Sequence, residues 1–181
     1  MDNQAGMGWL IFALMTVVSW GVYGILLHSG QLSMGDPVNG RYKAFLFVGI
    51  AYFITAVLAP LAVLMASGSD WSFPIRGAGL SLVAGVVGAI GAFCVLLAFG
   101  ARGTPAAVMS IVFAGAPIVN ALVAMWLSPP AGGWSAIRWQ FVAGILLAAL
   151  GGCLVTYYKP PPGPGHAKAA PTHQTETAAN R

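Results

Sequence analysis

What this sequence has least of is charge. Only 7% of its 181 residues are Asp, Glu, Lys or Arg, and only four are acidic. A water-soluble domain carries roughly 25% charged residues, because its surface must be wetted. The absences are also localised. No Asp, Glu, Lys or Arg occurs between Gly8 and Leu27, Ala44 and Ala66, Gly77 and Ala101, Gly103 and Ile137, or Trp139 and Tyr158. Each gap can hold the roughly 20 apolar residues a helix needs to cross a bilayer core. An ionised group at the bilayer centre costs at least ~2.5–3.5 kcal/mol, which accounts for the gaps.

Other absences narrow the function. Cys94 and Cys153 are the two cysteines. Both lie in apolar runs, where a thiol behaves as a small hydrophobe and no disulfide framework is expected. The leader Met1-Asp2-Asn3-Gln4 has no Lys or Arg, unlike a secretory signal, and the run Trp9–Leu27 is of full spanning length, so it reads as a retained helix. The net charge of +4 is spread singly at the ends of apolar runs. That is where membrane proteins keep cations, and it forms no nucleic-acid stripe. No carboxylate lies in any gap, His28 ends the first run, and His166 and His173 fall near the C-terminus. With no nucleophile beside a base and no ligand cluster, neither an enzyme site nor a cofactor or metal is expected.

What remains is 58% apolar, on all faces of each run rather than alternating over the ~10 residues of a barrel strand. The fold class is an all-α integral membrane protein. Its five transmembrane helices are expected at about 9–27, 44–66, 77–99, 106–127 and 140–158. A Pro/Gly-rich polar tail over 160–181 opens Pro-Pro-Pro-Gly-Pro-Gly and is expected to be disordered, with polyproline character at its start. Turn signals fall between the runs: Gly35-Asp36-Pro37, Asn39-Gly40, Ser67-Gly68-Ser69-Asp70, Pro129-Pro130 and Gly132-Gly133. The short link Gly100–Pro105 folds the third and fourth helices into an antiparallel hairpin. Arg41, Lys43, Arg102, Lys159, Lys168 and Arg181 collect on one side, against Arg76 and Arg138 on the other. The enrichment of cations in cytoplasmic loops then sets the N-terminus outside and the C-terminus in the cytoplasm of a multi-pass cell-membrane protein. Trp9, Trp71, Trp134, Trp139, Tyr157 and Tyr158 stand near helix ends, at headgroup level.

Two residue classes inside the spans carry functional information. Small residues recur at helical spacing: Ala84, Gly88 and Ala92, and Gly85, Gly88 and Gly91, on the third helix; Gly144, Ala148 and Gly152 on the fifth. Such strips let backbones approach closely, which is how helices associate in lipid. Packing within the chain is expected for the third helix. The partner of the fifth stays open between this chain and a second copy, and Gly144, Ala148 and Gly152 are the candidate homodimer interface. Polar and aromatic residues form the other class. Thr16, Ser19 and Tyr23 share a face of the first helix beside Trp20. Tyr52 and Thr55 are three apart on the second. Ser110, Phe113, Pro117 and Asn120 form one stripe on the fourth. Pro117 tends to kink its helix. Asn120, the most polar side chain in any span, needs partners away from lipid. It is either a substrate contact or interhelical glue. The hydroxyls of Thr16, Thr55 and Ser110 can instead bond their own helix backbone.

Several of these segments resemble the repeat of EamA-type drug/metabolite transporters. Ser19-Trp20-Gly21-Val22-Tyr23-Gly24 is similar to the Trp-Gly signature that opens that repeat. Gly103-Thr104-Pro105-Ala106-Ala107-Val108-Met109-Ser110-Ile111, followed by Ala116-Pro117-Ile118-Val119-Asn120-Ala121-Leu122, resembles its third-to-fourth-helix region. Gly151-Gly152-Cys153-Leu154-Val155 ahead of Lys159-Pro160 resembles its close. The resemblance spans roughly Trp9 to Pro160. It implies a five-helix repeat that pairs with a second around a central substrate cavity. This chain carries one repeat, so the second would come from another copy. The family often places a Glu after its fourth helix, where Leu127-Ser128-Pro129-Pro130 stands here. The related small multidrug exporters use a Glu in the first helix to couple protons, and no span here has one. The expectation is therefore transport of a small neutral or zwitterionic metabolite by an oligomer, with Ser19, Trp20, Tyr23, Tyr52, Ser110, Pro117 and Asn120 as substrate-binding residues. The alternative is a non-transporting structural or accessory membrane protein. A water-filled cavity reaching Asn120 favours transport, and a solidly packed bundle favours the alternative.

Overall fold

The chain is described by a computed structural model over residues 5–129, 131–133 and 137–160. The expected disordered tail beyond Pro160, and Trp134 of the expected aromatic belt, lie outside the described residues. Six α-helices account for nearly all the rest: α1 (Ala5–Ser33), α2 (Gly40–Phe53), α3 (Ala59–Ala66), α4 (Ile75–Gly100), α5 (Pro105–Leu127) and α6 (Trp139–Tyr157). A single π turn, Ile54–Leu58, joins α2 to α3 in one continuous rod. Gly8–Ser33, Gly40–Ala66, α4, α5 and α6 are thus five helices long and apolar enough to cross a membrane.

The boundaries depart from the sequence expectation mainly in α1, which runs on through His28, Ser29 and Gln31 to Ser33. Hydropathy marks where lipid ends, not where backbone hydrogen bonding ends, and polar residues sustain a helix in the interfacial zone. The two prolines inside spans differ from each other. α5 continues unbroken through Pro117. The irregularity lies at Pro60 instead. Pro60 has no N–H to give the carbonyl of Ala56, and its ring crowds that carbonyl. The helix accommodates it with the π turn just upstream, where the Ala59 N–H reaches back to the carbonyl of Ile54.

The buried core lies at one end. The buried side chains are Leu27, Ala44, Ala92, Val95, Leu96, Phe99 and Met109. They belong to the C-terminal halves of α1 and α4 and the N-terminal halves of α2 and α5. Leu96, with 0% exposure, is the centre, and Trp20, Tyr23, Phe45 and Val48 pack around the cluster. Gly24 of α1 admits Met109 of α5: a methyl at Gly24 would lie 2.6 Å from its Cγ and 2.9 Å from its Sδ. Aromatic rings fasten α2 to α4, with Phe93 against Phe45 at 5.5 Å and stacked on Tyr42 at 6.3 Å.

Toward the other end only α5 and α6 stay paired. Among the described residues, α3 touches no helical element but the π turn before it, and α6 touches only α5. The small-residue strip of α4 is therefore not what the sequence suggested. Ala92 is buried at 1% exposure, yet nothing lies within 4 Å of a methyl added at Gly85, Gly88 or Gly91. Gly85 stands in the N-terminal half of α4, where no residue is buried, and Gly88 and Gly91 meet no neighbour although they lie in the half that buries Ala92. Small residues permit close approach, but they do not supply the partner.

The links at the packed end are firmly built. Asp36 accepts the backbone N–H groups of Val38 at 3.0 Å and Asn39 at 2.8 Å, and pairs with Lys43 Nζ at 2.7 Å. It thereby orders the turn that leads into α2, while Gly35, at φ 65°, turns the chain out of α1. The Asn39 N–H first, then Lys43, hold the Asp36 carboxyl down at about 2. A carboxylate whose native value lies below its ordinary 3.8 binds its proton less readily when folded. Its stabilisation is therefore complete above that value and lost as pH falls through about 2. In detergent, thermal stability of the wild type is expected to hold down to about pH 4 and then decline toward pH 2. Asp36→Asn should flatten that acid limb. An unchanged acid limb in the variant would show that this carboxylate does not govern it.

Between α4 and α5 the chain closes in a Schellman turn. Arg102 N–H bonds Phe99 O at 3.2 Å and Gly103 N–H bonds Ala98 O at 2.9 Å. The residue in the left-handed position is Arg102 itself, at φ 69°, where glycine is the usual occupant and a side chain costs roughly 1–2 kcal/mol. Thr104 then caps α5, its Oγ1 accepting the Ala107 N–H at 3.4 Å, with Pro105 in the first turn.

Candidate functional site

A groove of about 950 Å³ is floored by α5 and flanked by α1 and α6. α1 and α6 do not touch each other, so the groove is open along its length between them. Its deep part is apolar, lined by Gly21, Ile25, Met109, Phe113, Ala114 and Ala148. Its mouth, at the packed end, holds His28, Ser29, Arg102, Thr104 and Lys159. Lys159 Nζ lies 3.3 Å from Thr104 Oγ1, which ties the end of α6 to the start of α5. His28 stands edge-on to Phe99 with ring centroids 5.3 Å apart. No acidic residue lines the groove, so its field is positive at the mouth.

The sequence-derived site residues divide into four places. Ser110 lines the groove, with its hydroxyl donating to the carbonyl of Ala106 at 2.6 Å. Thr16 and Thr55 likewise donate to the carbonyls four residues back, each at 2.9 Å. Trp20 and Tyr23 form an aromatic cluster above the core. Their rings are 5.5 Å apart, and Phe113 of α5 meets Trp20 edge-on at 6.5 Å. The Tyr23 hydroxyl is buried without a hydrogen-bond partner among the described residues, and Tyr52 of α2 is its polar neighbour. This cluster draws together α1, α2 and α5. Ser19 lies apart, in a shallow furrow of α1 with Ile11, Leu14, Met15 and Val18. Pro117 and Asn120 lie on the exposed surface of α5, and the groove stops short of them at Phe113 and Ala114.

The strip on α6 also divides. A methyl added at Gly152 would overlap the Cβ of Ala114 and stand 3.3 Å from the Ser110 carbonyl oxygen. Gly152 is therefore occupied by α5 of the same chain and is not free to receive a second copy. Ala148 faces the groove, and Gly144 meets nothing within 4 Å. A spacing of four residues does not say which side of a helix is already taken.

The mouth residues Arg102, Thr104 and Lys159 were not singled out from sequence as site residues. The signal was present, since Arg102 and Lys159 fall on the same cation-rich side. Only the docking of α6 on α5 brings residues 55 apart into contact. Among the described residues, no group of three or more His, Cys, Asp or Glu is placed to hold a metal ion. Cys94 and Cys153 are free and exposed. Set against known proteins, the chain matches no family model, no curated protein and no solved structure.

Proposed function

We propose that this chain is one half of a membrane transporter for a small solute, completed by a second copy. The supporting observation is the one-ended core. Four of the five helices of spanning length converge around Leu96, while the far halves of α2–α3 and α4 stay uncovered and α5 carries the exposed amide of Asn120 near mid-span. A lipid-facing amide is costly, and a second copy laid against this open half would enclose it. Transporters commonly move two repeats around a midplane site in this way. The uncovered glycines of α4, Gly85 and Gly88, suit that contact better than the strip on α6. The solute fits a neutral or zwitterionic metabolite, because no described span carries a carboxylate to bind or couple a cation. The packed end holds Arg41, Lys43, Arg102 and Lys159 and would be cytoplasmic, with the open end outside. The EamA-like repeat agrees with this reading.

Uptake by proteoliposomes over a panel of amino acids, sugars and polyamines tests it. Asn120→Leu is expected to abolish uptake of the responding solute while changing stability by no more than ~1 kcal/mol, since an interhelical bond in a membrane averages about 0.6. Uptake retained with a large loss of stability would make Asn120 structural. A second reading, an accessory membrane protein without transport, draws support from the groove's ending short of Asn120. A protein that is monomeric by cross-linking in native membranes and inert to every solute would favour it.

A further inference from the structure

We propose that the groove between α1, α5 and α6 is a binding site for one anionic phospholipid, its phosphate at Arg102 and Lys159 and one acyl chain along the apolar floor. The inference rests on the helices spanning a bilayer, not on transport.

Three features of the groove select this occupant. The first is charge. Arg102 and Lys159 both line the mouth, and none of the described residues that line the groove is a carboxylate. Asp36, the acidic residue at the same end, is already bound by Lys43 and by two backbone N–H groups. Basic pockets between helices at the cytoplasmic face suit acidic headgroups. The second is depth. From Pro105 to Phe113 and Ala114, the α5 floor runs about 13 Å at 1.5 Å per residue. One leaflet of a bilayer core roughly 30 Å thick is about 15 Å deep, so the apolar floor spans one leaflet with the cations at its headgroup end. A small soluble anion would use the mouth and leave Ile25, Met109, Phe113 and Ala148 bare. The third is access. α1 and α6 do not meet, so a lipid enters sideways from the bilayer without the bundle opening. Ser29 and Thr104, also at the mouth, are placed for the phosphate and glycerol oxygens.

Native mass spectrometry of the full-length protein from neutral detergent tests the proposal. The probes are dioleoyl phosphatidylglycerol, dioleoyl phosphatidylcholine and inorganic phosphate. The wild type should retain one phosphatidylglycerol and hold phosphatidylcholine much more weakly. Arg102→Gly with Lys159→Gln should weaken phosphatidylglycerol on the order of thirty-fold, at about one decade or less per cation. Glycine is the more comfortable residue at the φ of Arg102, so this loss would not come from a misfolded turn, and a thermal scan verifies that. Ala148→Phe fills the floor without touching charge and should also expel the lipid. Arg138→Gln, a cation at the opposite end, should change nothing. Equal retention of the two lipids, or undiminished retention in the double variant, overturns the proposal. So does full competition by inorganic phosphate, which would reduce the site to a headgroup-sized anion pocket. None of these outcomes bears on solute uptake through the open end.

Discussion

Gly152→Leu is expected to release α6 from the bundle. α6 touches only α5 among the described elements, and at Gly152 the two helices are in direct contact, against Ala114 and the Ser110 carbonyl. Neither obstacle can swing away: one is a Cβ fixed to the α5 backbone, the other a backbone oxygen. Lipid gives no hydrophobic reason for α6 to stay, so association depends on this fit. Overpacking typically costs 1–3 kcal/mol, and leucine here belongs at or above the upper end of that range. Thermal unfolding in detergent should show the loss, along with new protease sensitivity between Leu127 and Trp139. Gly144→Leu is the matched control, because nothing lies within 4 Å of a methyl there, and it should leave stability unchanged. Equal effects from the two substitutions would mean that α6 is held by something other than this contact.

Leu96→Ala should be the most damaging change in the core. Among the described residues Leu96 is the one large side chain that is fully enclosed, between Phe99 and Val95 on its own helix and the flanking faces of α1 and α5. In a soluble protein a buried Leu→Ala costs about 2–5 kcal/mol, the sum of a transfer term and a cavity term. In a bilayer the separated helices already have apolar surroundings, so much of the transfer term cancels while the lost dispersion contacts remain. The expected loss is therefore near the bottom of that range, about 2 kcal/mol. Leu82→Ala, at a position 71% exposed on the same helix, should cost little. A comparable loss at Leu82 would place its contacts in an oligomer rather than in this chain.

Part of the site was legible from sequence and part was not, and residues show why. Trp20 and Tyr23, three apart on one helix face, do meet, because helical spacing alone places them together. Ser110 bonding back to Ala106 is likewise a local event. Pro117 and Asn120, by contrast, share a stripe with Ser110 but not its groove. A helix stripe long enough to reach Asn120 outruns the neighbours that enclose Ser110. Pro60, which attracts the π turn, carried the same local signal as Pro117. Its consequence depends on how the surrounding helix relaxes.

The sequence by itself determined the number of helices long and apolar enough to span a membrane, their approximate limits and the side on which cations gather. Those follow from hydropathy, helix length and the cost of charge in lipid, all readable one segment at a time. Tertiary structure decided everything that depends on which faces meet. It turned Gly152 into an internal contact, left Gly85 and Gly88 uncovered, and joined Lys159 to Thr104 across 55 residues of sequence. It also confined the core to one end of the bundle. In lipid the side chains are apolar on every face, so hydrophobicity cannot mark which face turns inward. That choice falls to the shape of small residues and to the partner that happens to fit them.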